Sequence, residues 1–394
     1  MKKLKHLDGL RGIAAFMVVC HHFLVAFLPA HLNGSREQTN LGNGEVEIWF
    51  STSIFNIFFN GNLAVCIFFV LSGYVLSYSY FKNHSTQFLS ALAVKRYFRL
   101  VIPVFFTVII VAILIRLSLM FNLEASKLTK SEWWIGTFWQ FYPNVKHMLT
   151  SGLFGVFFTN DHSYNTVFWT MGIEFFGSLL VLSIAALTSN LRNRYLIYLI
   201  LICYMLLIQN YFYLAFILGL CLSDYDLNYE NKPILFFNKI LKVLLFVSFI
   251  ILGSFPSDGN IEDTFYIFIK FLFFGQSEVF IHTISAFLII FIGIHSPKLQ
   301  KILSLKLFTF LGLISFSMYL LHVPLIGSWA CFVFLKVYPF CSYGVALLFT
   351  LAAFLPVLII CSYLMAITVD RWSIIWPKWF FEKVFHRREQ LNRP

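Results

Sequence analysis

Long apolar runs separated by short polar segments extend along nearly the whole chain. A run of about 17–25 mainly apolar residues is long enough to cross a bilayer as a helix. The pattern predicts about ten membrane helices and hence an all-α, polytopic bundle. The predicted spans are 12–29, 54–80, 101–119, 167–187, 195–208, 211–222, 240–255, 279–294, 307–325 and 343–368.

Composition agrees with a membrane protein. The 394 residues are 59% hydrophobic and only 12% charged, whereas soluble domains have about 45–50% apolar and about 25% charged residues. These values exclude a soluble globule and a disordered chain. The net charge of +11 is interpreted as a topology signal. We therefore expect membrane lipids as partners, and no nucleic acid.

The positive charges predict the orientation of the bundle. An even number of spans puts both termini on one side, and segments on that side hold 22 of the 29 Lys and Arg residues. Such an excess is typical of cytoplasmic loops. We therefore expect a multi-pass protein with both termini in the cytoplasm, a membrane domain at 1–370 and a basic cytoplasmic tail at 371–394.

The first span contains the densest group of ionisable side chains. Arg11 and His22 are eleven residues apart, so at about 100° per residue they lie about 20° apart on one face, and Asp8 lies near that face. Ionisable groups inside a membrane are costly and often functional. His22 is either a general base or a hydrogen-bonding group of a neighbouring helix, whereas the adjacent His21 is interpreted as structural.

Two further charged positions mark later spans. Arg96 and Arg99, three residues apart, suit bidentate phosphate binding; a stop-transfer cluster attracted to anionic lipid is the alternative. Glu174, near the outer end of the fourth span, needs a partner such as Arg or His. It could orient an acceptor hydroxyl, hold His22 in one tautomer, or make a purely structural contact.

The remaining candidates are weaker. Ser72, beside a glycine, favours close helix packing, and His322 is interpreted as a pocket-lining or helix-end group. The sequence contains no nucleophile-elbow, Walker A, dinucleotide-binding or zinc-protease motif. It also lacks metal-ligand spacing, so no metal site is expected.

Five of these segments, taken in order, resemble the acyltransferase-3 family of integral membrane O-acyltransferases. The similar segments are residues 7–14 followed by His22, residues 68–74, the run from Arg96 through Arg99 to Pro103, Trp169 with Glu174, and residues 315–324, which include Tyr319 and His322. The chain differs modestly from the common pattern at Thr170, Met171 and Phe316, and the ionisable positions are retained.

The resemblance implies transfer of an acyl group, commonly acetyl from acetyl-CoA, to a hydroxyl of a cell-envelope glycan such as O-antigen, capsule or exopolysaccharide. It also implies a location in the bacterial inner (cytoplasmic) membrane. Acetyl-CoA would be a co-substrate, with no permanently bound cofactor. His22 is then the base or acyl relay, supported by Arg11, with Glu174 as a third catalytic residue. Arg96 and Arg99 would bind the CoA phosphates. Asp8, Ser72, Trp169, Tyr319 and His322 are expected to line the pocket or bind substrate.

A transporter or flippase for a lipid-linked glycan is the main alternative from another class. Its intramembrane Arg, His and Glu residues would line a substrate path. It predicts substrate movement without CoA consumption. A membrane scaffold is a third possibility, but it leaves the alignment of Arg11 with His22 unexplained.

Overall fold

A computed structural model describes residues 4–83, 86–228, 239–258, 261–262 and 264–385. Across these ranges the chain is helical and has no strand. Each predicted span coincides with a helix. These ten are α1 (Lys5–Phe27), α2 (Gly61–Asn83), α3 (Thr86–Arg116), α4 (Trp169–Thr188), α5 (Arg194–Leu207), α6 (Tyr211–Asn228), α7 (Lys239–Gly253), α8 (Glu278–His295), α9 (Lys306–Leu325) and α10 (Tyr343–Met365).

Shorter helices connect these elements, and α11 (Arg371–Phe385) follows α10. The connecting α-helices are Ala30–Asn33, Glu45–Thr52, Asn122–Thr129, Val145–Thr150, Val156–Phe158, Tyr266–Leu272, Pro297–Leu303 and Cys331–Val337. The 3₁₀ turns are Arg36–Gln38, Ile54–Phe58, Ile135–Thr137, Thr166–Phe168 and Tyr338–Phe340. The π-helical segments are Ser151–Gly155, Ile326–Ala330 and Ala366–Asp370.

Several helix boundaries differ from the predicted ones. Helix α3 begins at Thr86 and not at residue 101, because charged side chains at Lys95, Arg96 and Arg99 end an apolar run without interrupting a helix. Helix α2 begins only at Gly61, since the preceding apolar residues form a 3₁₀ turn. Apolar run length therefore marks the position of these helices better than their ends.

Within the described ranges, seven helical stretches are long and apolar enough to cross a membrane. They correspond to α1, α2, α3, α4, α8, α9 with its extension and α10 with its extension. Helices α5 and α7 are apolar but shorter. The protein is therefore a multi-pass helical membrane bundle, while ten crossings and cytoplasmic termini stay predictions. Six of the positive residues that carry the orientation argument lie outside the described residues, namely Lys2, Lys3, Lys232, Arg387, Arg388 and Arg393.

Close packing of α1 against α9 positions the functional region. Gly12 and Gly312 face each other, and a Cβ built on Gly12 would lie 2.4 Å from the backbone nitrogen of Gly312. A Cβ on Gly312 would meet the carbonyl oxygen of Asp8 at 2.2 Å. Small residues permit such an approach in membrane helices. The two helices thereby bring Arg11 and His22 beside polar residues of α9.

Candidate functional site

A cavity of about 250 Å³ lies among α1, α2, α3, α4 and α9, with Asp370 at its edge. Its wall combines three guanidinium groups, two carboxylates and hydroxyls with apolar side chains. The lining residues are Arg11, Val65, Phe68, Phe69, Ser72, Val75, Leu76, Arg96, Arg99, Leu100, Thr170, Met171, Glu174, Gly312, Leu313, Ser315, Phe316, Tyr319 and Asp370.

Helical spacing explains how one cavity collects these groups. On α9, Gly312, Ser315, Phe316 and Tyr319 recur at intervals of three or four residues, which is one helix face. The same spacing holds on α2, from Val65 through Ser72 to Leu76, and on α4 and α3. Each helix thus turns a mixed polar and apolar stripe toward the same space.

Arg96 is fixed in the cavity wall by a compact polar network. Its Nη2 forms an ion pair with the Glu174 carboxylate and donates to Ser72 Oγ at 3.1 Å. Its Nε donates to Ser178 Oγ at 2.8 Å. Ser72 in turn donates to Glu174 Oε1 at 2.6 Å. The carboxylate, two hydroxyls and the guanidinium therefore hold one another in a fixed orientation.

Arg99 is held by residues that follow the last predicted span. Its guanidinium forms an ion pair with Asp370 and donates to Ser373 Oγ at 2.7 Å. The Phe316 ring packs against the same guanidinium, with its centroid 5.6 Å from Cζ. Arg11 forms a longer ion pair, 3.6 Å from Asp8. Each cavity arginine thus has a carboxylate partner, and the Arg11 pair is the loosest.

His22 lies apart from this cluster and pairs with a second histidine. Its Nδ1 is 2.7 Å from Nε2 of His322, and Nδ1 of His322 is 3.1 Å from the carbonyl oxygen of Met318. The Trp134 ring stacks on the His22 ring, with centroids 5.3 Å apart. His322 is fully buried, whereas His22 is half-buried.

Tyr319 connects the two regions. It lines the cavity, and its ring centroid lies 5.9 Å from that of His322, one turn further along α9. Its hydroxyl is 2.7 Å from Thr170 Oγ1 and donates to the Val167 carbonyl at 3.1 Å. The face of α9 that holds Tyr319 therefore connects the cavity wall to the histidine pair.

The structure brings together most of the predicted site residues. Arg11, Ser72, Arg96, Arg99, Glu174 and Tyr319 share the cavity, and His22 contacts His322. Glu174 contacts Arg96, so the ring nitrogen of His22 is oriented by His322 and not by that carboxylate. Arg11 faces the cavity with the other arginines. Trp169 packs against Phe212, and His21 bonds the Phe59 carbonyl at 2.9 Å.

Sequence reasoning missed Asp370, Ser178, Thr170 and Trp134. Asp370 ends the π-helical segment Ala366–Asp370, and its signal was a lone carboxylate at the end of the last apolar run. Ser178 follows Glu174 by one helical turn, a spacing that predicts a shared partner. Trp134 gave no specific signal, because a tryptophan in a loop is typical of any membrane interface.

Within the part of the chain that the structure describes, no group of three His, Cys, Asp or Glu side chains could hold a metal ion. The polar groups that converge here instead suit an anion and a hydroxyl. Guanidiniums bind phosphate through bidentate hydrogen bonds, and an unprotonated imidazole nitrogen accepts a proton.

Comparison with known proteins identifies the family of the chain. The family model described as an acyltransferase domain, Acyl_transf_3, matches residues 4–367. The chain therefore belongs to the acyltransferase-3 family.

One curated protein is a distant relative of the chain. The O-acetyltransferase PaAT-1 of Phomopsis amygdali is 26% identical over 217 residues, which cover 48% of this chain and 41% of the relative. The chain thus spans about two fifths of the length of that relative. No solved structure matches the chain significantly.

Proposed function

We propose that the protein transfers an acetyl group from cytoplasmic acetyl-CoA to a hydroxyl of a cell-envelope glycan at the bacterial inner membrane. The observation that carries this proposal is the cavity with three guanidinium groups, joined through Tyr319 to the histidine pair. The guanidinium groups of the cavity suit an anionic acyl donor, and the histidine pair beside Tyr319 offers a proton acceptor. The name of the relative, an O-acetyltransferase, supports acetyl and an oxygen acceptor.

Arg11, Arg96 and Arg99 are proposed to bind the phosphate groups of CoA. Among the contacts of the described residues, Arg96 uses Nε and Nη2, which leaves the two N–H groups of Nη1 for a ligand. Glu174 and Ser72 orient that guanidinium. The loose pair of Arg11 with Asp8 leaves its N–H groups the most available.

His22 is proposed to act on the acyl group and the acceptor. As a base, its Nε2 takes the hydroxyl proton while the acceptor oxygen bonds the thioester carbon and the carbon–sulfur bond breaks; the proton then passes to the CoA thiolate. As a relay, Nε2 bonds the acyl carbon while the carbon–sulfur bond breaks and CoA leaves as the thiolate. The acceptor oxygen then bonds the acyl carbon as the nitrogen–carbon bond breaks, and the freed Nε2 takes the hydroxyl proton and passes it to the thiolate. Both routes use the same nitrogen. An acetyl adduct trapped on His22 in a single turnover distinguishes the relay from direct transfer.

The test compares wild type with His22→Ala, using purified protein, labelled acetyl-CoA and an envelope-glycan extract. Loss of the base is expected to lower transfer by about 10²–10⁴-fold, with acetyl-CoA affinity little changed because His22 lies outside the arginine cluster. His21→Asn is the matched control, since it removes the adjacent imidazole and keeps a donor for the Phe59 carbonyl. Full transfer by a folded His22→Ala protein would remove His22 from the mechanism.

A further inference from the structure

The histidine pair has a directional hydrogen-bond pattern. The Met318 carbonyl oxygen, 3.1 Å from Nδ1 of His322, can only accept a hydrogen bond. Nδ1 of His322 therefore carries the proton. A neutral imidazole with a proton on Nδ1 has a lone pair on Nε2, and that Nε2 lies 2.7 Å from Nδ1 of His22. The proton between the two rings therefore belongs to His22 Nδ1.

The same logic fixes His22. A neutral His22 that donates from Nδ1 keeps its lone pair on Nε2. Among the contacts of the described residues, Nε2 of His22 makes no hydrogen bond, and His22 is only half-buried. The proton-accepting nitrogen is thus left for a substrate. The network also holds when Nε2 gains a proton or an acyl group, because Nδ1 still donates to His322.

We propose that His322 is a positioning residue that sets the tautomer of His22, so that Nε2 is the reactive nitrogen. This inference rests on the proposed function of His22. His322 is suited to the task because it is fully buried and anchored by its own helix through the Met318 carbonyl. Groups that orient metal-ligating histidines typically affect metal affinity or activity by about 10–100-fold, and we expect an effect of the same order here.

Two substitutions separate tautomer control from packing. His322→Leu fills a similar volume and offers no acceptor to His22 Nδ1. His322→Gln keeps an acceptor oxygen on a side chain of comparable reach. We expect His322→Leu to lower kcat about 10–100-fold with the KM for acetyl-CoA nearly unchanged, and His322→Gln to restore most of that loss. A role in packing alone would give no preference for the variant with an acceptor.

His282→Leu is the matched control. His282 is also fully buried and bonds a carbonyl, that of Phe255, at 2.9 Å. Asn60 donates to the same carbonyl at 2.9 Å, so the carbonyl stays satisfied without the histidine. The control therefore removes a buried imidazole whose hydrogen-bond partners, Asn60 and Phe255, include neither His22 nor His322, and we expect unchanged kcat.

A double-variant cycle distinguishes the failure of this inference from that of the proposed function. If His322 acts through His22, adding His322→Leu to His22→Ala changes the residual transfer rate by no more than about twofold. Wild-type activity of His322→Leu beside an inactive His22→Ala protein would overturn the positioning role alone, as would an equal loss in both backgrounds. Wild-type activity of His22→Ala would overturn both.

Discussion

The arginine cavity and the histidine pair hold polar groups inside the bundle in opposite ways. In the cavity, Arg96 and Arg99 are each matched by a carboxylate and further hydrogen bonds from Ser72, Ser178 and Ser373. At the histidine pair, two rings share one proton-donating chain that ends on a backbone carbonyl. The cavity contains charged groups that are paired with opposite charges, whereas the hydrogen bonds of the histidine pair need no charged group.

This difference suits two tasks. A guanidinium that is already charged binds a phosphate without a proton transfer, and its carboxylate partner keeps it ordered when no anion is present. An imidazole that accepts a proton must start in its neutral form, and the hydrogen-bond chain of the histidine pair is complete with both rings neutral. Under the proposed function, ion pairing would serve donor binding in the cavity, and tautomer control would serve proton transfer at the histidine pair.

Breaking the ion pair of Arg96 is expected to have the largest effect on stability. Arg96→Gln leaves the partly buried Glu174 carboxylate without its partner, which costs up to about 3–5 kcal/mol in the free energy of unfolding. The double variant Arg96→Gln/Glu174→Gln removes both charges and is expected to recover most of that loss, although not acetyl-CoA binding. Thermal unfolding in detergent measures the stability.

A matching double variant, Arg194→Gln/Asp224→Asn, removes an ion pair outside the cavity, whose Nε to Oδ2 distance is 2.6 Å. It is expected to retain acetyl-CoA affinity. Equal stability of the single and double Arg96 variants would show that Glu174 does not depend on Arg96.

A second effect, which depends on pH, is expected from His31 and extends the comparison to the short helix Ala30–Asn33 that follows α1. This histidine is buried beside the Phe59 ring, and burial, followed by the neighbouring His21, lowers its pKa to about 3. The unfolded chain takes up the proton near pH 6.5. The folded state therefore gains stability from neutral His31 above pH 6.5 and loses it as the pH falls toward 3, by up to about 1.4 kcal/mol per pH unit.

The measurement is the melting temperature between pH 8 and pH 4 for wild type and His31→Phe. The variant is expected to lose less stability on acidification, because it has no imidazole to protonate. His162→Phe, at an exposed histidine, controls for removal of one ring. Parallel wild-type and His31→Phe curves would contradict the linkage.

The smallest effect is expected at Asp370. Asp370→Asn removes a negative charge beside Arg99 and keeps an amide oxygen for its N–H groups. With one less anion competing for Arg99, acetyl-CoA is expected to bind up to about fivefold more tightly, equivalent to about 1 kcal/mol. Isothermal titration calorimetry measures the affinity for acetyl-CoA. Asp226→Asn, at a carboxylate outside the cavity lining, is the control. Weaker binding by Asp370→Asn would instead make Asp370 an orienting group that the donor site needs.

Helix positions and most site residues were accessible from the sequence because their signals are local. Apolar run length locates all ten helices, and the cost of burying charge singles out Arg11, Arg96, Arg99, Glu174 and His22. Helix periodicity places the cavity-facing residues of α9 on one side. These inferences need only the geometry of one helix and the polarity of its surroundings.

The choice of partners needed the tertiary structure. Glu174 had Arg or His as equally suitable partners, and only the packing of α3 beside α4 selects Arg96. His22 and His322 are 300 residues apart and meet because Gly12 and Gly312 allow α1 and α9 to approach closely. The sequence determined which groups are too polar for the membrane, while three-dimensional packing decided which of them compensate each other. The physical reason is that burial cost belongs to a single side chain, whereas a hydrogen bond depends on the relative position of two.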